Sequence, residues 1–271
     1  MTFQELMSRV PRRKPGRLDT LGATPAEKKV LDTLREPGWT VTHHDDDPHR
    51  AVTAAVEAAS SGKTDLLFVS ETDTFSMLRM LERQLADASK NRCEPLTLME
   101  ALEVPAYSKV LWVGYTLTVE YDCCGPAIKS VERMARTLQD LGEAAPHIAL
   151  LSCVEIISAG VPSTIWEAAL GKMGDRGQFG KAQVDGPLAF DLAISPRAVE
   201  EKGVRSTVPG DADLIVPPDL NSFRTATDVV HVTGAHKAGC IAVGGPVPIA
   251  VAPHCPENHI KESIHLASLL L

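Results

Sequence analysis

A chain of 271 residues, 44% of them hydrophobic, is long enough for one large or two ordinary α/β domains and apolar enough to bury a core, which excludes global disorder. With 27 basic against 35 acidic residues the formal charge is −8. That balance argues against a nucleic-acid backbone or an anionic lipid surface as the main partner, and the Arg12-Arg13-Lys14 cluster is too short to overturn it. No apolar stretch approaches the roughly 18–20 residues of a membrane-spanning helix, and Met1-Thr2-Phe3-Gln4-Glu5-Leu6 lacks a signal-peptide core. A cytoplasmic protein with no membrane partner is expected.

In chain order, the start up to about Thr24 reads as loose, and no clear strand appears before Trp39-Thr40-Val41. The run His43-His44-Asp45-Asp46-Asp47-Pro48-His49 has metal-ligand residue types. It reads instead as a loop that caps a helix over Ala51 to Ala59, with Asp46 or Asp47 as the cap and Pro48 in the first turn. Leu66-Leu67-Phe68-Val69 has the look of a strand buried on both faces, and Met77, Leu78, Leu81 and Leu85 line one side of the helix after it. Val110-Leu111-Trp112-Val113 is the next strand. Ile128, Val131, Met134, Ala135, Leu138 and Leu141 then recur at spacings of three and four, an amphipathic helix. Ile148 to Val154 reads as a strand and Ser163 to Met173 as a helix. Leu214-Ile215-Val216, Cys240 to Val243 and Pro248 to Val251 supply further strands. The last helix starts at Pro256 and buries Ile260, Ile264, Ala267 and Leu270. Strands alternating with helices give a largely parallel sheet with helices on both faces.

The six cysteines include no CxxC pair, so neither a disulfide framework nor a zinc knuckle is indicated; reduced, mainly buried thiols are expected. No Walker loop, no GxGxxG after a strand and no GxSxG elbow supports a nucleotide-binding or hydrolase template.

Three blocks carry a family resemblance. They are Ile148 to Glu155, continuing through Pro162 to Lys172-Met173; Val184-Asp185-Gly186-Pro187-Leu188-Ala189-Phe190-Asp191-Leu192-Ala193-Ile194-Ser195; and Val208 to Leu220, with its Gly210-Asp211-Ala212-Asp213 string. In that order and spacing the chain resembles the phosphate acetyl/butyryl transferases, the butyryl branch especially, from about Pro146 to Pro248. The resemblance implies a two-domain α/β parallel-sheet sandwich like isocitrate and isopropylmalate dehydrogenases, with a cleft between the domains. It also implies a discontinuous first domain of residues 1–101 plus 240–271, a second domain of 102–239, and a homodimer. The family reaction turns acyl-CoA and phosphate into acyl phosphate and CoA. The partner is then a small acyl-CoA or acyl phosphate-like ligand, with no tightly bound cofactor and the coenzyme A thioester as substrate. Asp185, Asp191, Asp211 and Asp213 either cap helices and bind their own backbone, or border the ligand at the carboxyl ends of the strands.

The family pattern breaks where donors are needed. A Lys-Gly pair that the family places after the strand ending at Val69 reads Val69-Ser70 here, although Asp73-Thr74 matches. An Asp, an Asn and a Pro are replaced across Tyr115 to Asp122, and a Glu, small, Gly, Asn sequence becomes Asn221-Ser222-Phe223-Arg224. A Ser-Arg pair falls on Pro253-His254, and an aspartate falls at or beside His259. Each lost charged donor forfeits a bond worth roughly 1.5–3 kcal/mol. By position, His254 and His259 take the catalytic places. Asp73, Thr74, Tyr115, Arg224 and Cys255 take the substrate-binding ones. Cys255 and His259 are four apart, as two metal ligands on a helix face are, but two more ligands are not apparent and no metal is assigned. The histidines either serve an anion at the helix start or form a polar, capping surface loop. A repurposed member with other chemistry, or a non-catalytic regulatory or complex subunit, is the alternative. A decarboxylating dehydrogenase ranks last, for want of metal-binding aspartates and an Arg-rich substrate loop.

Overall fold

The computed structural model describes residues 1–13, 16–36, 38–45, 47–70, 74–88, 95–117, 124–234, 237–252 and 257–271. The first stretch of chain forms α1 (Phe3–Met7), β1 (Arg17–Leu21), α2 (Pro25–Asp32), β2 (Thr40–His44), α3 (Pro48–Ser60), β3 (Leu66–Val69), α4 (Thr74–Ala88) and β4 (Thr97–Leu102). The middle forms β5 (Leu111–Thr116), α5 (Cys124–Asp140), β6 (His147–Leu151), α6 (Ser163–Asp175), β7 (Gln183–Leu188), α7 (Phe190–Ile194), α8 (Pro196–Lys202), β8 (Leu214–Val216) and α9 (Leu220–Thr233). The chain closes with β9 (Ala238–Val243), β10 (Ile249–Val251) and α10 (Glu257–Ser268).

These elements fall into two compact units, Gln4–Glu100 with Lys237–Leu271, and Met1–Phe3 with Ala101–His236. In the former the strand order is β2-β1-β3-β10-β9-β4. β1 pairs in parallel with β2 and β3, β3 with β10, and β10 runs antiparallel to β9. β3 and β9 are buried along their whole length, which is why they read as unbroken apolar runs. α10 packs on β9, β10 and α2, and its Ser263 hydroxyl accepts the amide of Cys240 at 2.9 Å. Helix starts follow local chemistry: Thr24 and Glu27 form a reciprocal capping box at α2 with Pro25 in the first turn, and Asp47 caps α3 ahead of Pro48.

β1 corrects the expectation of a loose start. Leu18 and Leu21 are fully buried, and the Asp65 carboxylate grips Arg17 through its backbone N–H at 2.8 Å and its guanidinium at 3.0 Å. That grip holds Asp65 below the usual carboxylate range. Asp19 and Thr20 make the segment look polar in sequence, yet both are buried between neighbouring strands.

The other unit has the order β5-β8-β6-β7, all parallel. Its amino-end rim is pinned by the Gly210-Asp211-Ala212-Asp213 string. Lys109 Nζ lies 2.7 Å from Asp213 and 3.0 Å from Asp211, the backbone N–H of His147 donates to Asp213 at 2.8 Å, and the Tyr107 hydroxyl donates to the Ala212 carbonyl at 2.7 Å. Burial alone would lower the Lys109 pKa, but its bonds to Asp213 and Asp211 outweigh burial and raise it. Asp211 and Asp213 precede β8, so they hold the amino ends of the strands together and do not border a ligand at the carboxyl ends. Of the described cysteines, Cys240 is buried and Cys153 exposed.

Candidate functional site

In a parallel α/β unit, ligands gather at the carboxyl ends of the strands, because helix N-termini and adaptable loops meet there. At the ends of β1 and β3, the turn after Leu21 needs Gly22, whose φ is +66° and whose Cβ position lies 3.3 Å from Met77. Val69 is buried, and the Ser70 hydroxyl beside it contacts both carboxylate oxygens of Glu27, at 2.7 and 2.9 Å. Glu27 is itself fixed by the α2 capping box, accepting the Thr24 N–H at 2.6 Å. Where the resemblance implies a lysine and a glycine, the chain therefore builds a buried serine–carboxylate pair. Thr74 is buried at the start of α4 and donates its hydroxyl to the Ser70 carbonyl at 2.7 Å.

The described members of the histidine- and aspartate-rich run have partners of other kinds. Asp47 caps α3, and Asp45 pairs with Lys28, which lowers the Asp45 pKa. His43 and His44 take opposite faces of β2: His43 bridges Thr20 at 2.8 Å and Asp32 at 3.3 Å, whereas His44 approaches Asp19 at 3.5 Å. Among the described residues no three His, Cys, Asp or Glu side chains are placed to share a metal ion. Of the sequence-derived site residues, Asp73, His254 and Cys255 lie outside the described residues. His259, in the first turn of α10, is only 3% exposed, so it is a buried side chain and not part of a polar surface loop.

At the end of β5 in the other unit, the buried Tyr115 ring leans on Phe223 with centroids 5.7 Å apart. Phe223, which stands where the resemblance implies a glycine, is 2% exposed. Arg224, one residue on, reaches Asp228 on the next turn of α9 at 3.5 Å. Tyr115 thus packs on the residue that precedes Arg224 in α9. Thr74 and His259 belong to the other unit.

Glu167 is the functional candidate that sequence reasoning missed. It lies on the inward stripe of α6 with Thr164, Leu170 and Gly171, and is 6% exposed. Gly186 makes this burial tight: a Cβ there would stand 2.7 Å from Leu150 Cβ and 3.2 Å from Glu167 Cβ, so only glycine lets β7 lie this close. Burial pushes the Glu167 carboxyl up to about 7, against the opposing pull of the Ser163 hydroxyl. Among the described residues Oε2 has no hydrogen-bond partner, and a cavity of about 10 Å³ beside it is lined by Leu150, Trp166, Leu170, Val216, Pro217 and Pro218. Ser163 in turn lies 3.3 Å, hydroxyl to hydroxyl, from Ser152, the first residue past β6. The signal was present in sequence as an acid at the i+3 and i−3 positions of buried residues, Thr164 and Leu170.

Comparison with known proteins agrees with this frame. Residues 127–264 match the family described as phosphate acetyl/butaryl transferase. The phosphate butyryltransferase of Clostridium acetobutylicum is 29% identical over 222 residues, covering 82% of this chain and 73% of that protein. The phosphate acetyltransferase of Thermotoga maritima is 26% identical over 216 residues, covering 79% and 72%. In fold, a branched-chain phosphotransacylase from Enterococcus faecalis V583 superimposes with a TM-score of 0.76 at 21% identity, over 94% of this chain and 98% of that one. With half of its length matched by that family, the chain belongs to the phosphate acetyl/butyryl transferases.

Proposed function

We propose that the protein binds an acyl-CoA-type thioester and carries out phosphate-dependent acyl transfer only slowly, because the donors that would hold phosphate have been replaced. The observation that carries this reading is the Ser70–Glu27 pair at the end of β3. A serine hydroxyl given to a neighbouring carboxylate does not hold a phosphate anion as a lysine's charge would. Phe223, packed on Tyr115, supports it by closing a place that a glycine would leave open to backbone approach. By the positions that the resemblance gives them, His254 and His259 take the catalytic places. Asp73, Thr74, Tyr115, Arg224 and Cys255 contact the substrate. The coenzyme A thioester is a substrate and not a tightly bound cofactor. The protein works in the cytoplasm as a homodimer; no described helix is long and apolar enough to cross a membrane.

Losing two or more phosphate donors removes at least about 3 kcal/mol of transition-state binding, a factor of over a hundred. The experiment is thiol release from acetyl- and butyryl-CoA with saturating phosphate, beside the His254→Arg variant and a thermal-shift titration with coenzyme A. Coenzyme A should raise the melting temperature while turnover stays slow, and His254→Arg should speed it. Vigorous turnover by the unmodified chain, abolished by Arg224→Ala or His254→Ala, would show a rebuilt site and overturn the proposal.

A further inference from the structure

We propose that Glu167, Ser163 and Ser152 form a proton relay running from the interior of α6 to the carboxyl end of β6, where it serves the bound thioester. The inference rests on the acyl-thioester reading above. Three observations carry it. The carboxyl is buried, yet its Oε2 has no hydrogen-bond partner among the described residues and adjoins a cavity of about 10 Å³, the room one water needs. Ser163, four residues earlier on the same helix, lines that same cavity with the carboxyl. The Ser163 hydroxyl continues to Ser152 at 3.3 Å, and the Ser152 backbone N–H is held by the Leu188 carbonyl at 2.9 Å, which fixes the relay's outer end beside β7.

A structural acid would be expected to have a cationic or amide partner. Among the described residues, the elements packed against Glu167 supply none. Leu150, Val216, Pro217 and Pro218 face it from β6 and from the end of β8. On β7, Asp185 bonds the Gly186 N–H, and on β6, His147 sits at the amino end with Asp211 and Asp213. On α6 itself, Lys172 and Asp175 pair with each other in solvent. Burial and Ser163 alone set the carboxyl near neutrality, where it can both give and take a proton.

In acyl transfer the carbonyl carbon forms a bond to a phosphate oxygen and its bond to sulfur breaks, so sulfur departs as thiolate and the phosphate O–H must lose its proton. The relay delivers a proton from Glu167 through the Ser163 and Ser152 hydroxyls to the sulfur. The carboxylate left behind recovers the phosphate proton by the same path. Glu167 is thus a positioning residue acting through Ser152. An anion bound at the strand ends also raises its proton affinity, so ligand binding takes up protons.

The test is calorimetric binding of coenzyme A in buffers of differing ionisation heat at pH 6, 7 and 8, for the unmodified chain, Glu167→Gln and Ser163→Ala. The difference in proton number between the first two removes the ligand's own titration. The unmodified chain should take up several tenths of a proton more than Glu167→Gln at pH 7, with affinities within about fivefold. Equal proton numbers overturn the relay. If no form binds coenzyme A, the thioester reading fails, and the relay is then judged by the infrared band of the protonated carboxyl. That band should titrate near neutrality, vanish in Glu167→Gln and persist to higher pH in Ser163→Ala, which removes the hydroxyl that pulls the carboxyl's pKa down. A titration unmoved by Ser163→Ala overturns the relay whether or not coenzyme A binds.

Discussion

Glu167→Gln should make the protein's stability less sensitive to pH. The native carboxyl titrates at about 7 rather than an ordinary 4.5 because burial disfavours its charged form. Between those values the folded state binds more protons than the unfolded one, so unfolding free energy falls as pH rises. The stability of the neutral acid is fully present below the unfolded pKa and is lost as pH passes through about 7. The difference amounts to about 3 kcal/mol if the site stays dry, and most of it falls between pH 5 and 8. Glutamine has the same shape and cannot ionise, so its profile lacks this component. The assay is urea unfolding of both proteins at half-unit pH steps, with the slope against denaturant checked for constancy. The gap between the two should move in favour of Glu167→Gln by about 2–3 kcal/mol from pH 5 to pH 8. Parallel profiles would refute the reasoning, since they would mean that Glu167 titrates alike folded and unfolded.

Three further outcomes follow from side chains described above. Phe223→Ala should cost about 3–5 kcal/mol in chemical denaturation, because it empties a buried ring site and removes the ring that Tyr115 leans on. Lys109→Met should cost about 2–4 kcal/mol in the same measurement, since Asp213 keeps its burial and loses its closest cation; a loss under 0.5 kcal/mol would mean that water replaces the lysine. Gly22→Ala should lower stability by about 1 kcal/mol through its left-handed φ, visible as a drop in melting temperature, whereas Gly62→Asn, at a left-handed site with open space around it, should be nearly neutral.

Much of the fold was legible in the sequence because it rests on local physics. Four-residue apolar runs such as Leu66–Val69 mark strands buried on both faces, and the three-and-four spacing from Ile128 to Leu141 marks a helix that must cover them. Asp47 with Pro48 announces a helix start whatever surrounds it. The V-D-G-P-L-A block also carries its family with it, since Gly186 is required by how closely β7 approaches Leu150 and α6.

What the tertiary structure decided is the state of the polar residues. Asp19 and Thr20 argue for a loop until β2 and β3 flank them and turn their segment into an inner strand. Asp211 and Asp213 have the same residue types as a ligand-binding pair, and only the placement of Lys109 and His147 shows that they clamp the amino ends of strands. Ser70 is an ordinary hydroxyl by itself; the Glu27 carboxylate, brought from 43 residues earlier, takes its hydrogen bond. Glu167 reads as an ordinary helical acid until β6, β7 and the proline pair after β8 strip it of water. Period and capping are encoded within a few neighbouring residues. Desolvation and charge pairing depend on atoms that arrive from distant parts of the chain, and those set the chemistry of a site.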